Sequence, residues 1–191
     1  MGLNQNAVPP MVRPLNNIQG RTTLAYSIYE ACVPPLGHML GSYSGFLTKA
    51  ETFLKEKGID PASYMEERLY PDMLPLKAQV FIATDMAKGG AARLAQAEIP
   101  KYEDTESNFD ELRARLRKTI AFIRGLDAKA FVGAEDRPIH LKFPNREFHF
   151  SGADYLNNWV LPNTYFHITT GYAILRHKGV PLGKPDYLAG E

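Results

Sequence analysis

From Ser27 to Lys57 apolar residues return at steps of three and four: Leu36, Met39, Leu40, Tyr43, Phe46, Leu47, Ala50 and Leu54. That period is the stripe of a helix with one face in a core, and Gly58 supplies its stop. Pro34-Pro35 must either start this helix or kink it, because Pro35 has no N–H to donate. Asp60-Pro61, a cap followed by proline, opens a short helical piece reaching about Leu69. A second stripe of Leu76, Val80, Ala83, Ala87, Ala91 and Leu94 predicts a helix from Pro75 to Ala95. Its run Gly89-Gly90-Ala91-Ala92 allows a close neighbour. The third stripe, Phe109, Leu112, Leu116, Ile120 and Ile123, follows a cap at Ser107 or Asn108. Asp110 and Glu111 face the positive end of that helix, which ends near Leu126.

The period then falls to two. Ile139–Phe143 and Arg146–Phe150 alternate apolar and polar residues around Pro144-Asn145, which predicts a β-hairpin. A two-residue loop sets His140 opposite His149, Leu141 opposite Phe148 and Lys142 opposite Glu147, although Pro144 cannot take the positive φ of a type I′ turn and a wider loop is the alternative. A fourth helix runs from Gly152 to Lys178, stopped by Gly179 and Pro181. Val180–Glu191 reads as a docked tail. Residues 1–21 hold Pro9, Pro10 and Pro14 with no period, and read as a flexible N-terminal extension. The expected fold is therefore mainly α: one domain over residues 22–191, a four-helix bundle with a small β-hairpin inserted before the last helix. Loops of moderate length are expected to alternate helix direction, with the hairpin covering a bundle end.

Composition narrows the function classes. With 22 basic and 21 acidic residues and a net charge of +1, nothing in bulk electrostatics favours nucleic acid or anionic lipid. No apolar run approaches the ~18–20 residues of a membrane span, and the start lacks a signal-peptide hydrophobic core, so the expected location is cytoplasmic. Cys32 is the single cysteine and lies in an apolar stretch, which reads as a buried small hydrophobe. Phosphate-loop, dinucleotide and His-Glu-x-x-His motifs are missing. Gly41-Ser-Tyr-Ser-Gly45 sits inside a helical pattern and is no nucleophile elbow.

The fourth helix carries the candidate chemistry. Trp159, Asn163, His167, Thr170 and Ile174 share one face, and a polar stripe flanked by Tyr165 and Phe166 suits the wall of an inter-helix pocket. The competing reading is a core histidine satisfied by hydrogen bonds. Gln79, Ala83 and Met86 form the stripe of helix two that can face His167. Asp85 lies one position round, either as an acid–base partner or as half of a surface pair with Lys88. Asp72 caps helix two or reaches the pocket mouth, and His38 can point inward from helix one. His140 and His149 are too few for a closed metal site.

Pro162–Arg176 followed by Gly179–Leu188, together with Leu69–Leu76 and Asp85-Met86-Ala87-Lys88, resembles a bacterial and fungal family of unknown function in the DinB/YfiT-like superfamily of four-helix bundles. The likeness runs from about Tyr26 to Leu188. That superfamily typically binds a divalent metal through one histidine on helix two and two on helix four, four residues apart. His167 is similar in position to the second helix-four ligand. Asn163 then stands in the place of the first, and helix two has no histidine. An amide oxygen is a poorer ligand than imidazole for such metals, so the resemblance implies neither a metal site of that type nor another cofactor.

Three functions follow. One is a small-molecule pocket, binding or enzymatic, in which His167 acts as general acid or base while Asn163, Gln79 or Thr170 orients a carbonyl or hydroxyl. Another is a divalent-metal-dependent enzyme of the DinB type, with His38 or an acidic residue completing the ligands. The last is a non-catalytic structural or oligomeric module. Superfamily members often pair through helices, so a homodimer is expected.

Overall fold

The computed structural model describes residues 26–190; the extension expected over residues 1–21 lies outside the described residues. Helix α1 spans Ile28–Glu56, with Ser27 and Glu30 forming a reciprocal capping box at its start. Pro34 and Pro35 are inside it, so they neither start the helix nor end it. Asp60 caps a short 3₁₀ helix at Pro61–Glu66. Helix α2 is Leu76–Ala95, and α3 is Phe109–Arg124 with Asn108 as its cap. Strands β1 (Ile139–Phe143) and β2 (Arg146–Phe150) pair antiparallel in the expected register. The two-residue loop forms without strain because neither Pro144 nor Asn145 adopts a positive φ, which excludes a type I′ turn.

The fourth long helix is continuous but not uniform. Helix α4 (Gly152–Tyr155) passes through a π-helical turn at Leu156–Val160 into α5 (Leu161–His177). Pro162 brings no N–H to the ladder at this point, which favours a break in the regular pattern. The expected tail contains a short helix α6, Lys184–Ala189, docked on α1: Lys49 Nζ lies 2.5 Å from Asp186, and Tyr187 stacks on Phe46.

Helix directions depart from expectation. Tyr43 meets Gly171 and Phe46 meets Tyr172, so α1 and α5 run parallel. Gly37 lies against Arg124 and Glu51 pairs with Arg113, so α1 and α3 are antiparallel. Gln79 meets His167 and Gly90 meets Val160, making α2 and α5 antiparallel too. Helices α2 and α3 therefore point the same way: the order is up, down, down, up rather than alternating. The connection over residues 96–108 must then return along the helix pair, and its side chains explain how it is held. Arg115, with its side chain 1% exposed, donates to Thr84 Oγ1 on α2 at 2.8 Å and to the Glu103 carbonyl on the strap at 3.0 Å. The same guanidinium pairs with Asp85, Asp104 and Glu106. The Tyr102 ring lies under Lys88 at 4.7 Å and Lys118 at 4.2 Å.

Close approach between helices relies on glycine. A Cβ on Gly171 would meet the buried Tyr43 hydroxyl at 2.0 Å, and one on Gly90 would meet Val160 at 2.5 Å. The small run Gly89–Ala92 is thus occupied inside the chain. The hairpin packs its Phe148 and Phe150 rings on Trp159, at 4.9 and 5.9 Å, and so sits against the π turn, near the C-terminal end of α2 where Arg137 donates to the Leu94 carbonyl.

Candidate functional site

The polar stripe of the last helix faces α2, and its centre is one hydrogen bond. His167 Nδ1 lies 2.7 Å from Gln79 Oε1. Gln79, 2% exposed, donates its amide N–H to the Leu74 carbonyl at 2.9 Å. That donation fixes which end of the amide faces His167. Because Oε1 can only accept, His167 Nδ1 is the donor and Nε2 keeps its lone pair. Burial holds the His167 pKa below the ordinary imidazole value, since desolvation disfavours the charged ring. The arrangement yields a neutral, oriented, half-buried imidazole with a basic Nε2. The Phe166 ring stands edge-on at 5.3 Å and is 57% exposed, so the histidine has an apolar rim.

Its neighbours divide into those the fold brings near and those it does not. Asn163, one turn earlier and half-buried, donates its side-chain N–H to the Trp159 carbonyl at 2.6 Å, within the π turn. Its Oδ1 is left to accept from something else. Thr170 is buried and its hydroxyl donates to the Phe166 carbonyl at 2.8 Å, so it serves its own helix. Met86 lies half-buried on α2, between the Gln79–His167 and Gly90–Val160 contacts. Trp159 lines a cleft of about 370 Å³ shared with Phe143, Pro144, Asn145, Arg146 and Phe148.

Three expected members stand elsewhere. Asp85 is turned to α3 and held by Arg115 at 3.2 Å and by Lys88, whose side chain is 7% exposed. It belongs to the strap network, six residues and a different helix face from Gln79. Asp72 is exposed and does not cap α2, whose cap position is Pro75, without a side-chain hydrogen bond. His38 points outward, where its Nε2 meets the Leu188 carbonyl at 3.1 Å. Cys32 is buried, and desolvation pushes its thiol up to about 12, which makes it a poor nucleophile.

Sequence reasoning missed the Leu74 carbonyl, a backbone group with no sequence signal, and the hairpin residues beside Trp159. The buried Arg115 had one faint signal: a charge set among Leu112, Leu116 and Thr119 on the inner stripe of α3.

The donor set does not fit the metal site of the superfamily. Around His167 it offers one imidazole, whose Nδ1 is already engaged, and the amides of Gln79 and Asn163, which are weak ligands for first-row transition metals. Among the described residues no group of three or more His, Cys, Asp and Glu side chains is placed to hold a metal ion. Nor is any described helix long and apolar enough to cross a membrane.

This frame is similar to a solved one. The crystal structure of a DinB family member protein from Shewanella denitrificans superposes with a TM-score of 0.79 at 36% sequence identity, covering 85% of this chain and 92% of that one. No curated protein matches the chain. A family model described as "Domain of unknown function (DUF1993)" matches residues 28–188, and the chain belongs to that DinB-like family.

Proposed function

We propose that the protein binds a small organic molecule beside His167 and uses the imidazole as a metal-free general base. The observation carrying this reading is the Leu74–Gln79–His167 relay, which orients the ring and leaves Nε2 basic. A histidine that only filled a core would be closed in, whereas His167 is half-buried beside an exposed aromatic rim. The Oδ1 of Asn163 accepts a substrate hydroxyl or amide proton, and Gln79 acts on substrate only through His167. The apolar part of the ligand lies toward Trp159, where the cleft at the hairpin supplies aromatic surface and the Arg146 guanidinium a cation. A small acid or carbonyl compound with a flat apolar body matches that lining.

Nitrogen NMR of the His167 ring tests the relay. At neutral pH the expected state is Nδ1 protonated and Nε2 bare, with a titration midpoint below that of a free imidazole. The sign follows from burial: the folded protein resists protonating His167 more than the unfolded chain does. Its contribution to stability is therefore complete above the ordinary value of about 6.5 and is lost as pH falls through the depressed folded value. An Nε2–H tautomer, or a midpoint at or above the ordinary value, would contradict the relay.

We also propose a homodimer, on the resemblance alone, since Gly89–Ala92 is taken up by the chain's own Val160 and Arg93. Sedimentation velocity giving the dimer mass supports this, and a monomer mass removes it.

A further inference from the structure

The hairpin turns outward two histidines that the proposed chemistry does not use. Phe143 faces Arg146 across the loop, and counting back pairs Lys142 with Glu147, Leu141 with Phe148 and His140 with His149. Residues closing a two-residue loop exchange hydrogen bonds, so alternation makes His140–His149 a non-hydrogen-bonded pair, the kind whose side chains stand closer. Their ring centroids are 4.5 Å apart, with the planes at 73°. With metal–nitrogen distances of about 2.0–2.1 Å and a ring nitrogen roughly 1 Å from its centroid, two imidazoles on one ion place their centroids about 4.5 Å apart at a right angle and about 5 Å apart at a tetrahedral one. The centroid separation of the pair falls at the right-angle value.

The pair is also open to solvent and held in place. Both histidines are exposed, His149 with 64% of its side chain accessible. The opposite face of the hairpin is fixed by buried Ile139 and Leu141 and by Phe148 on Trp159, so the strands need no ordering to present the rings. Glu147 lies on the outward face beside them. Its Oε2 is 3.9 Å from His149 Nε2, and its Oε1 is held by Lys142 at 3.2 Å.

We propose that His140 and His149 form an open, exchangeable two-imidazole site for a divalent first-row transition metal such as Cu²⁺, Ni²⁺ or Zn²⁺, completed by water. Imidazole suits these ions, with Cu²⁺ the tightest. The site is separate from His167 and does not depend on the function proposed there. Because the ion bridges the two strands, its binding stabilises the hairpin that seats Phe148 and Phe150 against Trp159. An exchangeable site of this kind is emptied by chelator, so purified protein treated with EDTA should carry well under one equivalent of metal.

Calorimetric titration of the chelator-treated full chain with Cu²⁺ alone tests the proposal. Wild type should bind one equivalent, and Cu²⁺ should raise its melting temperature. Trp159 is the sole tryptophan, and its fluorescence should fall with the same stoichiometry. His140→Gln and His149→Gln, both surface changes, should keep the metal-free melt, lose the metal-induced rise and weaken binding at least about tenfold. Equal affinity in wild type and both variants would overturn the site, as would wild-type binding weaker than about 1 mM. Stoichiometric binding that disappears in His167→Gln but survives both hairpin changes would place the ion in the bundle, overturning this site and the metal-free reading of His167 together.

Discussion

Replacing Arg115 with methionine should destabilise the protein by about 3 kcal/mol or more, lowering its melting temperature by roughly 6–12 °C. Methionine keeps a long apolar stem against Phe81, over whose ring the guanidinium carbon sits at 4.7 Å, so packing is largely retained. What disappears is the donor shared by Thr84, the Glu103 carbonyl and three carboxylates. Asp104 is 56% exposed and Asp85 is 43% exposed, so both can turn to water. Glu106, at 15%, cannot do so without moving the strap. The network also fixes topology. Parallel α2 and α3 require the connecting segment to lie back along them, and Arg115 ties that segment to both helices. Limited proteolysis should therefore find a new cleavage after Lys101 in the variant. Lys118→Met is the matched control, since Lys118 lies over the Tyr102 ring from an exposed position, and it should shift the melt little. A loss below about 1 kcal/mol in Arg115→Met would mean that the strap is held by its apolar contacts alone.

The second large effect falls on function rather than stability. His167→Gln removes the basic nitrogen but leaves an amide able to donate to Gln79, so the relay to Leu74 keeps a partner. Half-burial lets water complete the rest, and the expected cost is within about 1 kcal/mol. General-base assistance typically contributes about 10²–10⁴-fold, so turnover should fall by about that much, and the response to ligand should be lost with it. Gln79→Met gives the opposite signature. It removes both hydrogen bonds made by an amide that is only 2% exposed, to the Leu74 carbonyl and from the His167 N–H, which costs stability at about 1–3 kcal/mol.

Much of the frame was legible because apolar periods report burial directly. The stripes of α1, α2 and α3 became buried faces, Ile139 and Leu141 of the hairpin are buried with Phe148 and Phe150 half-buried, and the register followed from loop length and side-chain alternation. Helix direction was not legible. A connection of the length of residues 96–108 can join neighbours of either sense, and the deciding feature is a buried arginine whose partners are scattered from Thr84 to Glu106. The π turn escaped for a related reason: its one extra residue shifts the stripe only slightly, so Trp159, Asn163 and His167 still read as one face. The pairing of His167 with Gln79 was visible as two facing stripes, whereas the tautomer depends on a backbone carbonyl at Leu74 that no pattern announces. Asp85 stayed open between a site role and a pair with Lys88, the pair the structure forms, because a carboxylate one position from the inner stripe fits a site and an ion network equally well. Only the neighbouring helix distinguishes them.

The central claim is that His167 serves a ligand site and not merely a core. Thermal melts of EDTA-treated wild type, His167→Gln and Asn163→Ala, with and without a panel of small aromatic acids and carbonyl compounds, test it most directly. The metal-free melts of wild type and His167→Gln should lie close together, and at least one compound should raise the wild-type melt but leave both variants unmoved. A large drop in the metal-free melt of both variants, with no compound stabilising the wild type, would contradict it and leave His167 as a structural histidine.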